Sequence, residues 1–303
     1  MSPDPSPPSP GADRQRTALV TGSNGGLGLA LAKKLAAGGW RVLLHGRDEA
    51  KLDRAHARLG APHAALRADL STPDGARGLA DAVAEATGRL DALVHNAGVL
   101  QPTRRMTEAG VELTMAVNAL APFALTDALQ ALLLRTAEAH GGARVVTLSS
   151  EVQSRRFPTT DPAALADALR NADGEYSSLK AYARSKLAAT TWTLELARRL
   201  DGSGVTANAC HPGVVRTGIF QGLGGLSGLF ATLASVFYLP PSVGAGVPYL
   251  VATAPRYGDR TGRWITRGHL RGPHEADPPD AALDLAVGAA LWKALDRLAT
   301  PRP

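Results

Sequence analysis

The sequence predicts a doubly wound α/β domain, a mostly parallel sheet with helices on both faces. Three observations predict it. Short apolar and β-branched runs alternate with helix-patterned segments from Thr17 to Cys210, and this alternation marks right-handed βαβ units. The first run enters a turn dense in glycine, "TGSNGGLG", at positions 21–28. No internal repeat and no linker-like stretch divides residues 17–300, so they read as one domain.

The elements follow in order. Thr17–Thr21 "TALVT" reads as a strand, and Leu27–Gly38 as a helix with alanine and leucine on one face. Arg41–His45 is a second strand, Glu49–Leu59 a helix, and His63–Ala68 a short third strand. Pro73–Thr87 is a helix and Ala92–His95 a buried strand. Two long helices are expected across Glu108–Glu138, with a break or bend near Pro122, because proline cannot donate to the helix ladder. Arg144–Ser149 is a strand, Tyr182–Leu200 a helix and Val205–Cys210 a strand.

Composition narrows the function classes. Residues 1–16 of the 303 are rich in proline and poor in large apolar side chains, so a disordered tail is expected there. No run has the length and apolarity of a membrane span; the nearest, Ile219–Val251, is broken by glycines and by Pro240-Pro241. The single cysteine, Cys210, excludes an internal disulfide framework and a cysteine-based zinc site. No second histidine stands at metal-ligand spacing from His95 or His211, so no metal is expected, and both read as satisfied, partly buried imidazoles. The net charge of +6 is spread along the chain, with no basic arm for nucleic acid. A cytoplasmic location is the expectation, with no nucleic acid and no integral membrane segment.

Ordering glycine is entropically costly. Gly22, Gly25, Gly26 and Gly28 are explained if the turn lets backbone approach a pyrophosphate at the N-terminus of the first helix. The second strand ends in His45-Gly46-Arg47-Asp48. Gly46 stands where an acid would bind a ribose 2′-hydroxyl, and Arg47 follows, suited to a 2′-phosphate. NADP(H) is therefore expected over NAD(H). Asp48 reads as the cap of the helix beginning at Glu49. Asp69 reads equally as a loop or capping carboxylate. Tyr182 and Lys186 lie four apart on one helix face, where the ammonium is expected to lower the phenol pKa. A second such pair, Tyr176 and Lys180, lies six residues upstream and would face elsewhere on a continuous helix.

Thr21-Gly22-x-x-x-Gly26-x-Gly28, His95-Asn96-Ala97-Gly98, Asn118, Ser149-Ser150, Tyr182-x-x-x-Lys186 and Pro212-Gly213-Val214 occur together and in this order. The set resembles the short-chain dehydrogenase/reductase family, most closely its branch of retinol dehydrogenase-like, WW-domain oxidoreductase and protochlorophyllide reductase proteins. The resemblance implies a Rossmann-type fold and an NAD(P)-dependent oxidoreductase acting on CH–OH or C=O. It implies that Tyr182 is the proton donor, that Lys186 holds the nicotinamide ribose, that Ser150 binds the substrate oxygen and that Asn118 holds a water. Cofactor contacts are expected from Gly22, Ser23, Asn24, Gly26, Leu27, Gly28, Arg47, Asp69, Leu70, Asn96, Ala97, Gly98, Tyr182, Lys186, Pro212, Gly213, Val215 and Thr217.

Ser150 and Tyr182 are separated by an insertion typical of that branch, carrying Arg155 and Arg156 and read in part as a helix over the substrate mouth. Residues 217–241, apolar and almost uncharged, read as a substrate lid, which would imply a bulky, apolar carbonyl compound or alcohol, or else as contact with a membrane surface or as core or subunit packing. The alternatives are a non-catalytic NADP-binding sensor or scaffold, and a C=C reductase. A homodimer or homotetramer is expected, with Leu187, Thr191 and Leu194 facing a partner subunit.

Overall fold

The computed structural model describes residues 15–154, 156–171, 173–215, 238–268 and 271–300. The expected tail, apart from Gln15 and Arg16, the lid from 217 to 237, Thr217 and Arg155 lie outside them.

Among the described residues one eight-stranded sheet runs in the order β3-β2-β1-β4-β5-β6-β7-β8. The strands are β1 Thr17–Val20, β2 Arg41–Gly46, β3 Ala64–Arg67, β4 Ala92–His95, β5 Ala143–Leu148, β6 Val205–Cys210, β7 Trp264–Arg267 and β8 Pro273–Ala276. All pairings are parallel except β7 with β8. β1 lies between β2 and β4, so the order reverses there and opens a crevice at the strands' C-terminal ends. The central strands are buried on both faces, which is why they read as continuous apolar runs.

The helices are α1 Gly26–Ala37, α2 Glu49–Leu59, α3 Pro73–Ala86, α4 Leu113–His140, α5 Pro162–Arg170, α6 Ser178–Arg199, α7 Pro241–Gly244, α8 Gly246–Thr253, α9 Asp280–Leu283 and α10 Leu285–Ala299. Two apolar clusters flank the sheet. One holds α3, α4, α6 and α10; the other holds α1 and α8. α1 presents Leu27, Leu31, Ala32 and Leu35 to the sheet, at the spacing of one helical face. By length and composition α4 could cross a membrane, yet 72% of its most apolar window is buried inside the fold.

Three expectations are corrected. The region 108–138 holds one long helix, not two: α4 starts at Leu113 and widens into a π turn over Ala116–Leu120. Pro122 explains the widening, since it has no N–H for the Asn118 carbonyl four residues back. Tyr176 precedes α6, whose cap is Ser177, so the two Tyr-x-x-x-Lys pairs do not share a helix. Leu187, Thr191 and Leu194 are buried within this chain, where α6 packs on α10. A subunit contact would therefore need another face. The helix expected in the insertion forms as α5, with its apolar side, Leu165, Ala166 and Leu169, packed into the core and on α10. Strands β7 and β8 were not anticipated.

Candidate active site

The β1–α1 turn is built by close contacts. Gly22 has φ +64°, a conformation that L side chains rarely adopt. Thr21 Oγ1 accepts hydrogen bonds from the Asn96 and Ala97 N–H groups, each at 3.0 Å. The Asn96 amide donates to the carbonyls of Thr21, at 2.8 Å, and Gly22, at 3.1 Å. A Cβ on Gly28 would land on the Gly22 carbonyl and the Asn96 amide nitrogen. The turn is thus locked to the end of β4 and lies directly on α1.

His45 completes the lock. Its Nδ1 accepts the Gly22 N–H at 3.1 Å, and its Nε2 lies 3.2 Å from the Ala68 carbonyl. These partners require Nε2–H as the neutral tautomer. Burial lowers its pKa to about 4. His95 is neutral for the same reason, with its pKa lowered to about 3; its Nε2 meets Thr126 Oγ1 at 2.7 Å. Both native values lie below the unfolded value near 6.5, so the native state resists protons that the unfolded chain accepts. Stability should fall as pH drops from about 6.5 toward 4. Each histidine contributes roughly 1 kcal/mol to that loss by about pH 5.5. Urea midpoints at about pH 7 and 5.5 check this; the difference should shrink in His95→Asn, and a midpoint indifferent to pH would contradict it.

The turn opens on a cleft of about 590 Å³ at the sheet's switch point. Of the residues expected to touch a cofactor, Gly22, Asn24, Gly26, Leu27, Gly28, Arg47, Asp69, Leu70, Asn96, Ala97 and Gly98 line it. Gly25, expected in the pyrophosphate turn, lines it too, and so do His45, Gly46, Lys51, Ala68, Val99 and Val117, which were not anticipated as contacts. Lys51 was legible, being one turn into the helix that follows Arg47. Asp48 also lines the cleft. It caps α2, its Oδ1 accepting the Lys51 N–H at 3.0 Å, which holds the carboxyl below its usual range. Ser23 does not line it: the side chain is buried, and its Oγ accepts the His45 N–H at 2.9 Å. Asp69 Oδ1 accepts the Ser71 N–H at 3.0 Å.

These residues fit a dinucleotide. The first turn of α1 carries no acid, and its cap Gly25 offers no side chain to compete for the N–H groups. A Cβ on Gly46 would meet the Asn24 side chain at 2.7 Å, which also accounts for glycine in place of an acid at that position.

Tyr182, Ser150, Lys186 and Asn118 are not among the residues that line the cleft. Asn118 Oδ1 and Lys186 Nζ lie within 4 Å of a Cβ built on Gly98, which does line it. The Ser150 hydroxyl lies near enough to Tyr182 to act on its pKa. Ser150 Oγ accepts the Val152 N–H at 3.1 Å. Ser149 points elsewhere: its hydroxyl donates to the Lys186 carbonyl at 2.9 Å and accepts from Thr190 at the same distance. Lys186 Nζ lies 5.6 Å from the Tyr182 ring centroid and donates to the Leu148 carbonyl at 2.9 Å. Burial lowers its pKa to about 8, with the nearby Cys210 acting the other way. Tyr182 departs from expectation, since its pKa is raised. Burial of the phenolate outweighs the effect of the Ser150 hydroxyl, and Lys186 does not reverse the direction. The phenol is therefore held protonated, as a donor.

Asn118 sits in the π turn. It accepts from the Val99 N–H at 2.8 Å and donates to the Val99 carbonyl at 2.9 Å and to Ser185 Oγ at 3.0 Å. These bonds pin the loop after β4 against α6. Pro212, Gly213 and Val215 are not among the residues that line the cleft. Gly213 has φ +86°, and Val215, Leu27 and the Pro212 carbonyl converge on Gly244. Tyr176 is a strut, donating to the Gln101 carbonyl at 3.0 Å and to the buried Glu112 at 3.2 Å. His211 is buried beside Glu151 and Lys186; its Nδ1, like that of His95, has no hydrogen-bond partner among the described residues. Among the described residues no group of three or more His, Cys, Asp or Glu could hold a metal.

Comparison with known proteins agrees with this geometry. The family model for short chain dehydrogenases matches residues 16–161. Human retinol dehydrogenase 14 is 31% identical, over 93% of this chain and 86% of its own. Mouse polyprenol dehydrogenase is 35% identical, over 94% of this chain and 83% of its own. The solved Pseudomonas aeruginosa RhlG/NADP active-site complex superposes with a TM-score of 0.65 at 30% identity, covering 83% of this chain and 94% of that one.

Proposed function

The chain belongs to the short-chain dehydrogenase family, whose members are NAD(P)-dependent oxidoreductases, and from that premise we propose that it reduces a bulky, apolar carbonyl compound, or oxidises the matching alcohol, with NADP(H). The observation that carries the reading is Tyr182 with Lys186 5.6 Å from its ring and Ser150 near its hydroxyl, Lys186 lying close to Gly98 in the wall of a cleft that also carries Arg47 and Lys51.

Nicotinamide, when bound, supplies or takes up the hydride. Tyr182 gives its proton to the substrate oxygen in reduction and accepts it back in oxidation. Ser150 holds that oxygen with its hydroxyl. Lys186 stands behind the phenol and would hold the nicotinamide ribose. The Gly22–Gly28 turn would receive the pyrophosphate, with Asn96, Ala97 and Gly98 forming the opposite wall. Arg47 and Lys51 would receive the 2′-phosphate. The relative with NADP in its active site supports the choice of cofactor. The relatives named for retinol and polyprenol, with the apolar sequence of 217–241, support a long hydrophobic substrate.

Oxidation of NADPH by a panel of aldehydes and ketones of increasing chain length tests the reading; activity should rise with apolar length, and turnover confined to small charged acids would contradict it. Arg47→Ala should weaken NADPH binding about 10- to 100-fold, the worth of a charge-assisted bond, and leave NADH nearly unchanged. Titration of both cofactors checks this, and equal losses for both would defeat the NADP assignment.

A further inference from the structure

A second basic cavity lies at the opposite end of the sheet, where the strands begin. Its volume is about 210 Å³, and Arg16, Trp40, His140 and Arg144 are among its walls. Arg16 precedes β1 and Arg144 opens β5, so the chain brings two guanidiniums together at the N-terminal edge. Along β5 this is about 20 Å from Ser150.

Neither guanidinium has an acid partner among the described residues. Arg16 lies over the Trp40 ring, 4.9 Å from its centroid. Arg144 donates from one terminal nitrogen to the carbonyls of Val251, at 3.0 Å, and Ala254, at 2.9 Å. Its other terminal nitrogen lies near Gly258, where no side chain competes for it. Burial and the neighbouring Arg16 both disfavour the charge on Arg144. The cavity's one carboxylate, Asp91, is already engaged by Arg89 at 2.7 Å and by the Thr17 N–H at 2.8 Å. A half-buried guanidinium, Arg144, thus shares a concave site with an exposed one, Arg16, at its rim, and the local acid is committed elsewhere. His140, in the last turn of α4, also lines the cavity with its ring nitrogens.

We propose that this cavity is an oxyanion site, separate from the cofactor cleft, in which Arg16 and Arg144 grip one phosphate- or carboxylate-sized group. Planar guanidiniums match the paired oxygens of such a group, and the volume admits one small anion. A bound anion would tie the segment before β1 to the start of β5 and to the end of α8. Its effect would therefore be on stability.

The test uses the full chain saturated with NADPH, so that the cofactor cleft is filled, at constant ionic strength. Thermal unfolding is followed while inorganic phosphate replaces chloride, with acetate as a parallel arm. Phosphate should raise the midpoint saturably, by about 2 °C or more. A response to acetate as well would assign the site to carboxylates too, and a response to phosphate alone would narrow it. Arg144→Met and Arg16→Gln should each abolish the response. Among the described residues the Arg16 side chain makes no hydrogen bond, and its carbonyl keeps the Arg41 N–H in the variant, so Arg16→Gln separates lost binding from lost structure. Arg47→Ala should keep the response in full. A response that survives Arg16→Gln, one that disappears in Arg47→Ala, or no gain over chloride would each overturn the proposal.

Discussion

Tyr182→Phe should lower kcat by about a thousandfold while leaving the NADPH Kd within about twofold, because positioned proton transfer contributes roughly 10²–10⁴ in rate. The variant removes the hydroxyl that lies near Ser150 and leaves the cleft walls untouched. It also leaves the fold in place, since the ring is buried and only the oxygen is lost. Tyr176→Phe is the control. That hydroxyl bonds Gln101 and Glu112, so its loss should cost about 1 kcal/mol of stability and little activity. Steady-state rates with both variants, beside cofactor titrations, decide the matter. A dead Tyr176 variant with an active Tyr182 variant would mean that the wrong pair has been assigned.

Gly28→Ala should weaken cofactor binding at least about 100-fold and destabilise the fold by about 1–3 kcal/mol, as overpacking does. The added methyl would strike the Gly22 carbonyl, which is backbone, and the Asn96 amide, which two carbonyls hold in place. Neither can give way without moving the turn off the end of β4. Gly25→Ala serves as the stability control: no atom lies within 4 Å of its added Cβ, and its φ of −179° suits any residue. Fluorescence titration and thermal midpoints check both variants. Tight cofactor binding by Gly28→Ala would show that the close packing is not what forms the site.

Much of the frame was legible because it rests on local patterns. β1, β2, β4, β5 and β6 are apolar runs bounded by polar or glycine residues, and each formed within a residue or so of expectation. Asp48 was legible as a helix cap because capping is a local hydrogen bond. What escaped depends on distant partners. Trp264–Arg267 and Pro273–Ala276 carry weak alternation and become strands by pairing with β6 and with each other. Ser23 sits in the glycine motif, yet it turns to the β2 backbone because His45 presents an N–H there. Leu187 and Leu194 were read as a subunit face; α10, about 100 residues later in the chain, covers them. The raised pKa of Tyr182 was not legible either. Residue spacing reports the neighbouring lysine, whereas burial, the larger cause, is a property of the assembled fold.

The central claim is that this cleft carries hydride transfer to a substrate oxygen that Tyr182 protonates. NADPH deuterated at the transferring carbon, mixed in a single turnover with a long-chain aldehyde and the full-length protein, tests it most directly. Deuterium is expected on the product's carbinol carbon, formed rapidly by the native protein and about a thousandfold more slowly by Tyr182→Phe. Native protein that binds NADPH tightly yet transfers deuterium to none of the aldehydes or ketones, or an equal rate in the Tyr182→Phe variant, would contradict it.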